Sequence, residues 1–385
     1  MSKREISVLY AAIILMLLQF VITVEMSVVM PMAPVIATIF HVRAENVTLL
    51  NIGYALSGLF APIFGFWADK TGMKRILILS SALFAFGCGV ISFSDSAIMY
   101  FFSRAIIGVG YYAMVSLCMS YTAYLVSDSK LGQVSGFYKV AFAIGVFISP
   151  LLGDYLVKAY SFRFLYLCIM AAALAITIGL IFIPKVHSQS EGIITIKEVK
   201  HLFRDKAAQY MMICCAMLSV PAIFFYNYFS VYLAGIGVSQ SSISWSYSII
   251  AAGSILAGIV IIVFSDRVGK MRMAMIGIIG SAIFVAPFAF ELKAGLIVIS
   301  FLFGFAYDTI WGLFYPIGSL MFRRESATFL TMLSLTMSLT NVLTNYTGPI
   351  VNRLGGFSLG IVICVISLII SAIYLRKAAK LKEVI

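Results

Sequence analysis

Gly65-Phe66-Trp67-Ala68-Asp69-Lys70-Thr71-Gly72-Met73-Lys74-Arg75 packs one acid, three cations and two glycines into eleven residues between two long apolar runs. A connection this short must turn sharply, and Gly72 suits the turn because glycine reaches positive φ without steric cost. Lys70, Lys74 and Arg75 put the loop on the cytoplasmic side, since basic residues in short loops stay inside. The runs on either side therefore read as bilayer-crossing helices.

Working outward, the same reading extends to the whole chain. Of its 385 residues, 62% are hydrophobic and 11% charged, well under the quarter or so charged that is usual in soluble domains. A spanning helix needs about 20 apolar residues. Twelve such segments fall at 6–38, 47–67, 75–93, 97–126, 131–157, 162–183, 207–234, 240–264, 271–290, 294–322, 327–351 and 356–375. Their length and continuous apolar character exclude a barrel of alternating strands. With both termini inside, twenty of the 27 Lys/Arg lie in cytoplasmic segments, which fixes the orientation. The net charge of +12 is thus a topology signal; some of it faces anionic lipid headgroups, and nucleic acid is not an expected partner. The first run lacks a cleavage site of small residues and is too long for a signal peptide, so it is expected to be retained. Cys88, Cys118, Cys168, Cys214, Cys215 and Cys364 sit within apolar runs and read as small hydrophobes. No Cys/His spacing suggests a metal, and no cofactor is implied.

Ionisable residues inside apolar segments are costly and need a partner or a task. Glu25 is the one acid of the first segment, ahead of Pro31 and Pro34, which should kink or end that helix near its outer end. Its alternatives are a task in the membrane or burial for packing. Arg104 opens the fourth segment about 10 Å below its outer end. It stays protonated, so it ties neighbouring helices together or takes part directly in coupling. Lys139 reaches the inner surface by snorkelling or faces a cavity. Gly145, Ser149, Pro150 and Gly153 give the fifth segment a stripe of small residues that permits close helix contact. The break at 184–206 separates six segments from six, giving halves 1–184 and 207–385 joined by a cytoplasmic linker at 185–206, in which 197–206 suggests a surface helix. Ser265-Asp266-Arg267-Val268-Gly269-Lys270 answers Ala68–Met73 at the matching place in the second half, a repeat expected of transporters built from two related halves.

The second half is aromatic, with Tyr226 among Phe224–Phe229 and with Tyr307, Trp311 and Tyr315 four residues apart. Such a stripe is packed core, lipid face or binding surface. Asp308 interrupts it, about 14 residues from each end of the tenth segment and hence near the midplane, which favours a cavity. Asn341 and Asn345 share one face of the eleventh segment, and Asn227 lies on the seventh.

The loop pattern G-x-x-x-D-[RK]-x-G-x-[RK]-[RK], the run Arg104…Gly108-Val109-Gly110 and the phrase Gly145…Pro150…Gly153 together resemble the major facilitator superfamily, in its twelve-helix drug and sugar exporter branch. Ser149 stands where that branch's antiporter motif carries its middle glycine, and Ile262 where the repeat of Gly65 would fall. The resemblance implies an all-α integral membrane fold of two six-helix halves, multi-pass in the cell membrane, with both termini cytoplasmic. It implies a monomeric transporter that exports a small amphipathic or lipophilic compound in exchange for protons by alternating access. Uptake, facilitative transport or lipid flipping on the same fold is the alternative. In that scheme Gly65, Asp69, Gly72, Arg75, Asp266 and Arg267 gate the cytoplasmic side, and Glu25, Asp308 and Arg104 couple protons. Tyr226, Asn227, Tyr307, Trp311, Tyr315, Asn341, Asn345 and Lys139 meet substrate, while Gly145, Pro150 and Gly153 form the antiporter motif. An enzyme is not expected, because His41, His187 and His201 all lie in loops.

Overall fold

A computed structural model describes residues 3–60, 63–64, 67–68, 71–125, 128–185, 201–290, 295–322 and 326–382. Side chains are described for all of these except 3–5, 116, 119–120, 122–140, 266, 319 and 326–328. The described residues are helical, with no strand among them. They divide into two compact units, Met1–Glu191 and Gly192–Ile385.

In the first unit, α1 (Lys3–Val28) stops ahead of Pro31, and the short α2 (Ala33–Ile39) restarts with Pro34 in its first turn. Proline is tolerated there because its missing N–H has no helical partner in any case. The second expected crossing appears as α3 (Val47–Leu50), α4 (Ile52–Ser57) and a 3₁₀ turn, Gly58–Phe60. Long helices follow: α5 (Met73–Ser92), α6 (Ala97–Leu125), α7 (Asp128–Ala159) and α8 (Phe162–Ile181). Helix α1 packs on α7, α4 on α6, and α5 on both α6 and α8.

The second unit holds α9 (Lys206–Gly235), α10 (Gln240–Val268), α11 (Lys270–Val285), α12 (Leu296–Met321) and α13 (Ser326–Leu381). Here α9 packs along α13, and α12 lies between α10 and α11. Helix α13 leaves helical geometry at Gly355 and Gly356, so it contains two successive crossings. Among the described residues ten helices are long and apolar enough to cross a membrane, that last one counted once.

Helix starts are fastened by side chains that accept the amides a first turn leaves unpaired. Ser161 caps α8, Ser239 caps α10, and Asp205 caps α9 by accepting from the Ala207 and Ala208 amides. Asp205 also pairs with Lys382 at 2.7 Å, tying the end of the last helix to the start of the unit. Burial pushes the Asp205 carboxyl up. The Lys382 ammonium and the Ala208 and Ala207 amides outweigh that, and the carboxyl lies below its ordinary range.

The two charged loops share one backbone device. Gly72 has φ 99° and ψ 129°, Gly269 has φ 93° and ψ 129°, and each stands immediately before a helix. A Cβ at either would meet nothing within 4 Å. Glycine is therefore needed for its dihedrals rather than for space. Beside the first loop, Lys74 Nζ donates to the carbonyls of Ile181 at 2.6 Å and Ile183 at 2.8 Å. A cation there satisfies the open carbonyls where α8 ends. Tyr121 donates to the next free carbonyl, that of Pro184.

Candidate functional site

In the first unit, side chains from α1, α4, α6 and α8, with Asn51 just ahead of α4, meet around one buried ion pair. Arg104 on α6 and Glu25 on α1 form an ion pair, Nη1 to Oε1, with relative exposures of 2% and 0%. Arg104 Nε also donates to Asn51 Oδ1 at 2.7 Å, just ahead of α4. Tyr166 on α8 donates its hydroxyl to Glu25 Oε1 at 3.2 Å. The guanidinium further lies over the Tyr54 ring, 4.5 Å from its centroid. Burying two charges costs several kcal/mol per ion unless geometry and extra hydrogen bonds compensate, and these contacts are the compensation. They are incomplete: Glu25 Oε2 and Asn51 Nδ2 have no hydrogen-bond partner among the described residues.

The small-residue stripe of α7 lies against the helix that carries Glu25. Ser149 Oγ donates to the Val24 carbonyl at 2.6 Å, and a Cβ on Gly145 would stand 3.0 Å from the Thr23 side chain. Gly153 faces Val28, and Pro150 sits inside α7 between them. Serine in place of the middle glycine thus adds a hydrogen bond to the seam. Near the C-terminal end of α7, Asp154 and Lys158 form a pair at 2.9 Å.

In the second unit, Asp308 on α12 is partly exposed and lies beside Ser254 on α10. Tyr226 on α9 and Tyr307 on α12 lie within electrostatic range of it. Tyr307 is buried, and its hydroxyl donates to the Leu218 carbonyl. The ring of Trp311 lies 6.4 Å from that of Tyr307 and 6.3 Å from that of Tyr315. Asn227 Nδ2 donates to Asn345 Oδ1 at 2.8 Å, and Asn345 Nδ2 donates to the Asn341 carbonyl at 2.9 Å. Asn345 Nδ2 also donates to Asn341 Oδ1 at 2.5 Å, so the three side-chain amides form a chain between α9 and α13. The neighbouring aromatics Phe224, Phe225 and Phe229 are packed core.

Four of the residues expected at a site are not described. Gly65 and Asp69 lie outside the described residues, as do the side chains of Lys139 and Asp266. Arg75 and Arg267 are exposed beside their loops. The contacts of Asn51 and Tyr166, and the place of Ser254 beside Asp308, did not stand out in the sequence. Each is an uncharged polar residue inside an apolar segment, and many such residues only bond their own helix. Among the described residues, no cluster of three or more His, Cys, Asp or Glu could hold a metal.

A family model described as Major Facilitator Superfamily matches residues 15–236. Multidrug resistance protein 2 of Bacillus subtilis (strain 168) is 22% identical over 312 residues, 76% of each chain. The multi-drug resistance efflux pump PmrA homolog of Lactococcus lactis subsp. lactis (strain IL1403) is 24% identical over 304 residues, 74% of each. Among solved structures, a D-xylose-proton symporter superposes with a TM-score of 0.80 at 16% identity, covering 96% of this chain and 97% of that one. The nucleoside transporter NupG superposes at 0.77 and 16% identity, covering 97% and 99%. Likeness at that identity shows the fold.

Proposed function

Because this chain belongs to the major facilitator superfamily, and so is a membrane transporter rather than an enzyme, we propose that it exports a small amphipathic or lipophilic compound in exchange for protons. The observation that carries this reading is a membrane-embedded acid in each half. Glu25 is locked to Arg104, and Asp308 lies beside Ser254 among aromatic rings. Carboxylates that deep are retained at a cost of several kcal/mol and mark ion pathways.

The coupling follows from charge. Glu25 keeps Oε2 open as a proton acceptor while Oε1 is held by Arg104 and Tyr166. Protonating the carboxyl removes the charge that Arg104 answers, so the α1–α6 tie weakens when the proton arrives and re-forms when it leaves. Each proton moving inward releases about 2.3 kcal/mol per 100 mV and about 1.4 kcal/mol per pH unit. That supports a tenfold or greater outward gradient of cargo. In this scheme Asp69 and Asp266, with Gly65, Gly72, Arg75 and Arg267, gate the cytoplasmic side in alternating access. The aromatic stretch from Tyr226 to Tyr315 meets an apolar cargo, and the chain Asn227–Asn345–Asn341 offers it hydrogen bonds.

Export is supported by the Gly145–Gly153 phrase and by relatives whose names are those of efflux pumps. Cells lacking the protein should accumulate more of a fluorescent lipophilic cation, or of another member of an amphipathic panel, than cells carrying it. Lower accumulation in the deletion would point to uptake and overturn the antiporter reading.

A further inference from the structure

Helices α10 and α12 cross more tightly than side chains allow. A Cβ on Gly304 would collide with the Ile250 carbonyl, and one on Gly253 with the Phe301 carbonyl and the Phe305 amide. The pairing runs in parallel, since two to three turns further on Gly312 meets the Ile261 side chain; four residues beyond Ile250 is Ser254, and four beyond Gly304 is Asp308. One turn past the crossing, the hydroxyl and the carboxyl therefore face each other across backbones that cannot separate without losing the glycine contact.

The hydroxyl of Ser254 is already committed, because Oγ donates to the Ile250 carbonyl at 3.1 Å. A serine hydroxyl has one proton to give and two lone pairs to receive. While it donates to Ile250, Ser254 can only accept from Asp308, and a carboxyl donates only when protonated. We propose that Ser254 is a positioning residue that reads the protonation state of Asp308 and passes it to helix α10. The inference rests on Asp308 being a proton carrier.

The two states differ by one proton and by one side-chain hydrogen bond. With Asp308 protonated, its O–H donates to Ser254 Oγ and Ser254 donates to the Ile250 carbonyl. When Asp308 releases its proton, the Ser254 hydroxyl turns to donate to the carboxylate, and the Ile250 carbonyl keeps only its backbone bond. One proton leaves and one hydroxyl rotates. Back-bonding of serine to the carbonyl four residues earlier bends helices, so the exchange adds or removes that bend beside the Gly253–Gly304 crossing. Among the described residues, the other titratable groups close enough to feel the Asp308 charge are Tyr226 from α9 and Tyr307 on its own helix. Tyr307 already gives its hydroxyl proton to Leu218.

The test needs no substrate. The full-length protein in lipid nanodiscs is titrated from pH 4 to 9 by infrared difference spectroscopy, following carboxylic-acid C=O bands. Asp308→Asn should delete one titrating band, which identifies it. Ser254→Ala removes the donor that serves the carboxylate, so the midpoint of that band should rise by about one pH unit, a tenfold change in proton affinity. Ser254→Thr keeps the hydroxyl and should restore the midpoint. A midpoint unmoved in Ser254→Ala, with the band still absent in Asp308→Asn, overturns the role of Ser254 and leaves Asp308 as carrier. Survival of every titrating band in Asp308→Asn overturns the carrier reading, and this inference with it.

Discussion

Replacing Arg104 by Gln removes the cation but keeps a polar side chain of similar reach, leaving Glu25 as a fully buried carboxylate whose remaining donor is Tyr166. Breaking a buried pair in this way typically costs about 3–5 kcal/mol. The cost has a ceiling, because the orphaned carboxylate can take a proton instead. At pH 7, protonating a glutamate whose ordinary value is about 4.3 costs about 3.7 kcal/mol, at about 1.36 kcal/mol per pH unit. The folded variant then holds one proton more than the unfolded chain, so its stability falls as pH rises. The deficit relative to the parent should be about 1 kcal/mol at pH 5 and about 4–5 kcal/mol at pH 8. Thermal unfolding in detergent, followed by intrinsic fluorescence from pH 5 to 8, reads this directly. The Glu25→Gln, Arg104→Gln double variant has no buried charge and should recover most of the loss with no pH slope. An Arg104→Gln variant whose deficit is the same at pH 5 and pH 8 would refute the idea that Glu25 is the charge Arg104 answers.

Gly72→Ala and Gly269→Ala should each lose about 1–3 kcal/mol, because the dihedrals are strained for alanine while the added methyl meets no atom; a large difference between the two, by the same unfolding assay, would contradict their shared geometry. Lys74→Met should destabilise the first unit by about 1 kcal/mol through two abandoned carbonyls at the end of α8, and hydrogen exchange at residues 178–185 should quicken. Asp205→Ala removes both the cap of α9 and the Lys382 pair, whereas Asp205→Asn keeps a capping oxygen, so Ala should cost about 1 kcal/mol more than Asn. The Asp205 carboxyl lies below its ordinary range, so its contribution is present above about pH 4 and fades as pH falls further. Equal melting temperatures for Ala and Asn would show that the cap contributes nothing.

Much of the fold is written in local terms, which is why it was legible. Length and apolar character mark the helices, Pro31 and Pro34 mark the break after α1, and the spacing of Asp69 to Gly72 against Asp266 to Gly269 marks the repeat. The matching dihedrals of Gly72 and Gly269 give that repeat a physical basis. What stayed hidden is pairing. Glu25 and Arg104 each stand out as charges in apolar segments, yet nothing in the order of residues says that one answers the other 79 positions away. Asn51 and Tyr166 complete the network from segments where a polar residue raises no alarm. Ser254 is one serine among many until the Gly253–Gly304 crossing places it opposite Asp308. The stripe on α7 was readable as a contact surface, but its partner, the turn of α1 around Glu25, was not.

Whether protons drive this transporter through Glu25 and Asp308 is decided most directly in reconstituted vesicles. Protein in proteoliposomes with an imposed pH gradient and a trapped pH indicator is challenged with a panel of amphipathic compounds, first with the parent chain and then with the Glu25→Gln, Asp308→Asn double variant. The parent should show compound-dependent proton flux down the gradient. The double variant should bind the same compound while its proton flux falls to that of empty vesicles. Compound-dependent proton flux at the parental rate in the double variant would remove both acids from the mechanism.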